Sequence, residues 1–322
     1  MTVRLAPGSR SRATRDAYGE ALLDAARREP RVMALTGDLR DSTRLEAFAE
    51  AFPDRFVECG IAEQNMAGIA AGLATCGKIP FVSSFAAFAP GRCYDQIRVL
   101  IAQPRLNVKL VSTHGGLTVG EDGMSAQAVE DVAMMRALAN MTVIVPADAT
   151  ETAAVIDALV DHDGPAYVRL GRAAVPVLFD AGYRFAVGTA PVVRDGGDVT
   201  IAACGIMVAE ALEAARALAT EGLEARVLNC ATVKPLDEAA VIAAARQTGA
   251  IVTAEEHTVL GGLGGAVCEV LAASHPVPVE RVGVRDRFGE SGAPRALQEA
   301  YGLTAAEIAA ASRRAISRKR RT

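Results

Sequence analysis

The stretch CGIAEQNM at 59–66 sets a carboxylate, Glu63, at the head of a run of small apolar residues, MAGIAAGLATCG. A carboxylate there complements the dipole and the free N–H groups of a starting helix, which requires no chemistry. The run is apolar all round, however, which predicts a helix packed on every side with Glu63 at the mouth of a buried element. A buried carboxylate needs a partner or a task. A second stretch, STHGGLTVGEDGMSAQ at 112–127, sets His114 and Asp122 among glycines that permit tight turns and close approach of backbone to a ligand. A plain connection would look similar, and a lone histidine after a strand is commonly a structural hydrogen-bonding residue; the adjacent Glu121–Asp122 pair favours binding. No second histidine stands at ligand spacing, which disfavours a metal site. A third stretch, DLRDS, begins at Asp38.

Ligands of open α/β sheets bind outside the carboxyl ends of the strands, so these stretches matter through what precedes them. From about Arg15 to Leu170, β-branched runs at 32–38, 79–85, 107–113, 141–148 and 166–170 alternate with segments of helical periodicity. Those segments are Arg15–Arg28, Ala62–Cys76, Arg92–Ile101, Val129–Ala139 and Thr150–Asp161. The alternation predicts an α/β fold, a mostly parallel sheet with helices on both faces. Residues 171–198, rich in glycine and poor in helical periodicity, read as a linker with a short hairpin. A boundary between 180 and 185 gives a first domain at 1–180 and, from the runs at 199–205, 225–230, 250–256 and 278–284, a smaller α/β domain at 185–322. In the second, GGLGG at 261–265 departs from a dinucleotide fingerprint at Val267, and close helix-to-strand packing explains its glycines. The basic tail from Ser312 to Thr322 reads as a solvated, frayed terminus.

The 322-residue chain is 51% hydrophobic, enough to build the cores of two domains, so overall disorder is excluded. A net charge of −4 provides no field to gather nucleic acid. No uncharged apolar run approaches the roughly 20 residues of a membrane span, and the start lacks the apolar stretch of a signal peptide. A cytoplasmic protein acting on small molecules is expected, with no nucleic-acid or membrane partner. Its six cysteines form no CxxC pair and are expected as reduced thiols.

GDL at 37–39, GIAEQNM at 60–66, SSFAAFAPGRCYDQIR at 83–98, THGGLTVGEDG at 113–123 and DRFGESG at 286–292 resemble, in order and spacing, the transketolase family. The similarity runs from about Arg15 to Ala315 and covers only the pyrimidine-binding and C-terminal domains, as in split members of that family. The fold implied is the thiamine-diphosphate-binding α/β fold. No GDG motif is present to hold a metal and a diphosphate. The resemblance therefore implies a separate diphosphate-binding partner chain, two copies of each, with thiamine diphosphate as cofactor and Mg²⁺ held mainly by the partner. It further implies that Glu63 hydrogen-bonds the pyrimidine nitrogen and promotes the imino form of the exocyclic amine. Phe85 and Phe88 pack on the pyrimidine, and Asp38 also touches the cofactor. His114 and Asp122 bind sugar hydroxyls, His114 also acting in catalysis, and Arg172 grips the substrate phosphate with Arg92 as a second candidate. In two places the pattern departs: Ala126 stands where the family usually has a histidine that contacts the donor's reacting end, and Gly91 replaces an aromatic residue.

The implied reaction moves a two-carbon ketol unit from a ketose phosphate to an aldose phosphate. Related readings are a branched-sugar transketolase, a deoxyxylulose-phosphate synthase-like enzyme or a 2-oxoacid dehydrogenase β subunit; the last would normally lack the TH…GEDG loop. A non-catalytic assembly subunit is the alternative from another class.

Overall fold

A computed structural model describes residues 10–319. Its strands are β1 (Ser11–Ala13), β2 (Val32–Thr36), β3 (Phe56–Glu58), β4 (Ile79–Phe85), β5 (Lys109–Thr113), β6 (Thr142–Ile144), β7 (Ala166–Arg169), β8 (Ala174–Pro176), β9 (Val192–Arg194), β10 (Val199–Ala203), β11 (Ala225–Asn229), β12 (Thr232–Lys234), β13 (Ile251–Thr258) and β14 (Val279–Val284). A seven-stranded sheet has the order β12-β6-β7-β5-β4-β2-β3, parallel except for β12. β2, β4 and β5 are buried along their whole length, as strands covered on both faces must be. On one face the helices Thr14–Arg28 and Ala149–Asp161 pack Tyr18, Leu22 and Ile156 against Phe81 and Val111. On the other, Met66 of the helix Glu63–Thr75 and Met135 of Asp131–Ala137 cover Val82 and Leu110.

The second sheet has the order β14-β13-β10-β11-β9, parallel except for β9. The helices Met207–Ala219 and Ala305–Ser317 line one face. Glu238–Thr248 and Leu263–Ser274 line the other, where Val241, Leu263 and Val267 join the same apolar cluster as Met66 and Leu110. One face of each sheet thus contributes to a shared apolar cluster, while the opposite faces have clusters of their own.

Several expectations need correction. Residues 171–198 form no hairpin: β8 pairs with β1 while β9 pairs with β11, so the two strands go to different sheets. β12 leaves the second unit to pair antiparallel with β6 of the first sheet. The helix expected at Arg92–Ile101 is broken at Cys93 (φ −121°) into Ala89–Arg92, Tyr94–Gln96 and a π-helical turn at Ile97–Ala102. The tail is helical to Ser317, with Ser312 and Ala315 buried, because its basic residues find Glu221, Glu280 and Glu307 as partners; residues 320–322 lie outside the described residues. The helix Glu63–Thr75 is not enclosed either: Gln64, Asn65 and Gly72 are exposed within this chain. All six cysteines are free thiols, and no helix among the described residues is long and apolar enough to cross a membrane.

Candidate active site

Across the first sheet in the order β7, β5, β4, β2, β3, the strand ends lead into Arg172, His114, Phe85, Asp38 and Glu63. Phe85 pairs in register with Thr113, and Thr36 with both Ser83 and Glu58, so these loops leave the sheet side by side. A parallel sheet has a single carboxyl edge, which is why stretches far apart in sequence converge there.

His114 is 2% exposed and takes left-handed backbone (φ 58°). Its ring stacks on Phe85 with centroids 3.7 Å apart, and Phe85 stacks on Phe88 at 5.4 Å. Arg15 Nη1 lies 3.4 Å from His114 Nε2, and Thr113 Oγ1 lies 2.8 Å from Nδ1. A guanidinium has only donors, so Nε2 accepts and Nδ1–H donates to Thr113. Burial, followed by the charges of Arg15, Arg172 and Arg44, pushes the imidazole down to about 3, and the ring is neutral near pH 7.

Arg15 was not among the residues singled out by sequence. The one signal was its place in the first turn of Thr14–Arg28, where a cation opposes the helix dipole. Its Nη1 donates to Ser42 O at 3.1 Å, while its buried Nε has no partner. Burial first, then Arg44, lowers its pKa. Arg172 Nη1 donates to Val119 O at 2.6 Å and lies 3.5 Å from Glu121 and 3.8 Å from Asp122. Two arginine forks therefore border one neutral imidazole, an arrangement that attracts an anion.

At the other end of the row, Glu63 is 4% exposed, and its Oε1 accepts from Arg92 Nη1 at 2.8 Å. The Arg92 guanidinium lies over the Phe88 ring at 4.1 Å. Arg92 is thus engaged with Glu63 and Phe88, whereas Arg172 stands by Asp122. No other donor among the described residues reaches the Glu63 carboxylate, so Oε2 can accept from a ligand. The Asp38 side chain is exposed; its N–H donates at 2.7 Å to Glu58 Oε1, which also accepts from Gly60 N–H at 3.1 Å, tying the β2 loop to the one leading into Glu63. Ala126 is buried in the loop beyond Asp122.

Carboxylate, aromatic faces, neutral imidazole and paired arginines in one row suit a flat heteroaromatic ring at the Glu63 end and a polyhydroxylated anion at the His114 end. No group of three or more potential metal ligands occurs among the described residues. Two clefts lie elsewhere: one of about 850 Å³ between Lys234 and the helix Leu263–Ser274, and one of about 750 Å³ between Thr14–Arg28 and Ala149–Asp161. In the first, Arg136 pairs with Glu269 and Lys234 donates to the Arg136 and Leu138 carbonyls, so its cationic groups are already engaged.

Residues 10–177 match the family model of the transketolase pyrimidine binding domain, and residues 188–308 that of the transketolase C-terminal domain. A 6-deoxy-6-sulfo-D-fructose transketolase subunit, SqwH, from Clostridium sp. (strain MSTE9) is 47% identical over 305 residues, 95% of each chain. Human transketolase is 39% identical over 310 residues, which is 95% of this chain and 49% of the human protein. A solved structure described as a split gene transketolase, inactive β4 tetramer, superimposes with a TM-score of 0.90 at 52% identity, covering 96% of this chain and 99% of that one.

Proposed function

The chain belongs to the transketolase family, and from that premise we propose that residues 1–180 and 185–322 are the pyrimidine-binding and C-terminal domains of one subunit of a two-chain enzyme. In this reading the enzyme transfers a two-carbon ketol unit from a ketose phosphate to an aldose phosphate in the cytoplasm. When bound, thiamine diphosphate supplies the carbanion and electron sink that making and breaking the carbon–carbon bond require. Glu63 would hold the pyrimidine by accepting a proton or hydrogen bond, with Phe85 and Phe88 offering apolar faces and Asp38 at the rim. The Phe85–His114 stack keeps water from the neighbouring imidazole. His114 and Asp122 would hold sugar hydroxyls, and the Arg172 and Arg15 forks the anionic end. A sulfonate presents three oxygens as a phosphate does, and one close relative is named for a sulfonated sugar.

The partner's place is suggested by the exposed side of Glu63–Thr75, with Ile61 at 75% exposure and Val99 and Leu100 nearby in the chain's π-helical turn. A partner bearing the diphosphate and Mg²⁺ site, in a complex with two copies of each chain, would cover it. A relative described as an inactive β4 tetramer fits a chain of this kind needing a second type of subunit. The observation that carries the proposal is the contiguous row Glu63–Arg92–Phe88–Phe85–His114 at the edge of the first sheet, with Glu63, Phe85 and His114 buried. The test is to mix the chain with a separate diphosphate-binding transketolase chain, Mg²⁺ and thiamine diphosphate, and assay ketose donors and aldose acceptors with phosphate, sulfonate or neutral ends. Ketol transfer by the mixture and by neither chain alone is expected; no transfer from any donor would overturn the proposal.

A further inference from the structure

The loop carrying His114 and Asp122 is held from the other sheet. His114 and Gly116 (φ 83°) both take left-handed backbone, a conformation costly for histidine that persists only where its surroundings enforce it. Glu256 of β13 reaches into the same loop two to four residues beyond His114. It is 5% exposed; its Oε1 accepts the Thr118 N–H at 2.7 Å, and a Cβ added at Gly116 would collide with its carboxyl group. Arg169 braces the same corner, donating from Nη2 to Ala128 O at 3.0 Å and to Glu256 O at 2.8 Å. Gln127 closes the far end, donating to Leu117 O at 3.2 Å, Gly120 O at 3.3 Å and Glu290 O at 2.9 Å. Burying a carboxylate is unfavourable, and Glu256 directs its acceptor oxygen at the one loop that bears the proposed sugar ligands.

We propose that Glu256 is a positioning residue of the active site: by accepting the Thr118 N–H it fixes the turn that presents His114 and Asp122, so the C-terminal unit builds part of the substrate site without touching substrate. This rests on reading His114 and Asp122 as sugar ligands. The Glu256 carboxylate reaches across the seam to the Thr118 N–H, and that reach defines the variants that separate positioning from bulk. Glu256→Gln keeps an acceptor oxygen at the same reach, Glu256→Asp keeps the charge but withdraws it by one methylene, and Glu256→Ala removes both.

In the reconstituted two-chain enzyme, Glu256→Ala should raise KM for the ketose donor about tenfold with a smaller change in kcat, and Glu256→Gln should return KM to within about threefold of wild type. Glu256→Asp should behave like the alanine variant and carries the test if that variant does not fold. Adding Glu256→Ala to Asp122→Ala should raise KM by clearly less than the product of the two single effects, because both act through one loop while His114 remains in it. Wild-type KM in Glu256→Asp, or effects that multiply in the double variant, would overturn the inference. If Asp122→Ala raises KM and neither Glu256→Ala nor Glu256→Asp does, Glu256 alone loses its role; if Asp122→Ala leaves KM unchanged, the sugar-binding reading falls and this inference with it.

Discussion

At the carboxyl edge of the first sheet, buried Glu63 receives a single hydrogen bond, from the exposed side chain of Arg92, and the buried Nε–H of Arg15 donates none. At the carboxyl edge of the second sheet, buried Glu255 accepts the Leu263 and Gly264 N–H groups at 2.7 and 2.8 Å. There Gly205, just past β10, donates its N–H to Val145 O at 3.0 Å, and His257 Nε2 accepts the Ala133 N–H at 3.2 Å. Both edges have the topology of a ligand crevice, but in the second the polar groups are bound to the chain's own backbone and to the first unit. The helix start in GGLGG, which could receive a ligand's anion, already holds Glu255. A strand-end crevice becomes a binding site only where hydrogen-bonding capacity remains free.

The hardest test of that contrast is Glu63→Ala, which should lower kcat by about 10³-fold or more in the reconstituted enzyme while thermal unfolding and partner assembly stay as in wild type. Near-wild-type turnover would remove the first edge from the chemistry. Next comes Arg172→Ala, where losing a charge-assisted contact of about 1.5–3 kcal/mol should raise KM for anionic sugars about tenfold or more, and for neutral sugars much less. Equal effects on both substrate types would make Arg172 structural. At the second edge Glu255→Ala should cost about 1–3 kcal/mol of stability, because two buried N–H groups lose their acceptor, and KM should stay put. A selective rise in KM would show that the second edge also handles substrate.

The gentlest test uses pH. His114 is held at about 3 against its ordinary 6.5, so the unfolded chain takes up the proton first, and this contribution to stability is lost as pH falls from 6.5 toward 3. At the seam between the units, Glu151 accepts from Tyr183 Oη at 2.6 Å and Asn229 Nδ2 at 2.7 Å, and burial pushes it up to about 7. Its contribution is full below about 4.5 and is lost as pH rises toward 7. Melting curves against pH should therefore lose an acid-side slope in His114→Gln and an opposite slope, between pH 4.5 and 7, in Glu151→Gln. Unchanged slopes in both variants would contradict the burial argument.

The first edge was the more legible of the two because its signals are local: a carboxylate before an apolar helix, a histidine in a glycine loop, a strand before each. Alternating runs and helical periodicity likewise mark the α/β architecture. What the sequence hid is pairing at a distance. Arg15 meets His114 across 99 positions, and Glu256 meets Thr118 across 138. The crossing of β12 into the first sheet is another such pairing, since three residues, Thr232–Lys234, have no signature that says which sheet they will join. The helix Glu63–Thr75 looked enclosed because small apolar residues do not say which chain covers them.

The central claim is that this chain holds half a site, a pyrimidine pocket that binds the cofactor firmly only when a partner adds the diphosphate and Mg²⁺ half. Titration calorimetry of thiamine diphosphate into the purified single chain, with Mg²⁺ present, tests it most directly. The account predicts no measurable binding until the diphosphate-binding chain is added, and stoichiometric binding afterward; stoichiometric, Mg²⁺-dependent binding to this chain alone would contradict it.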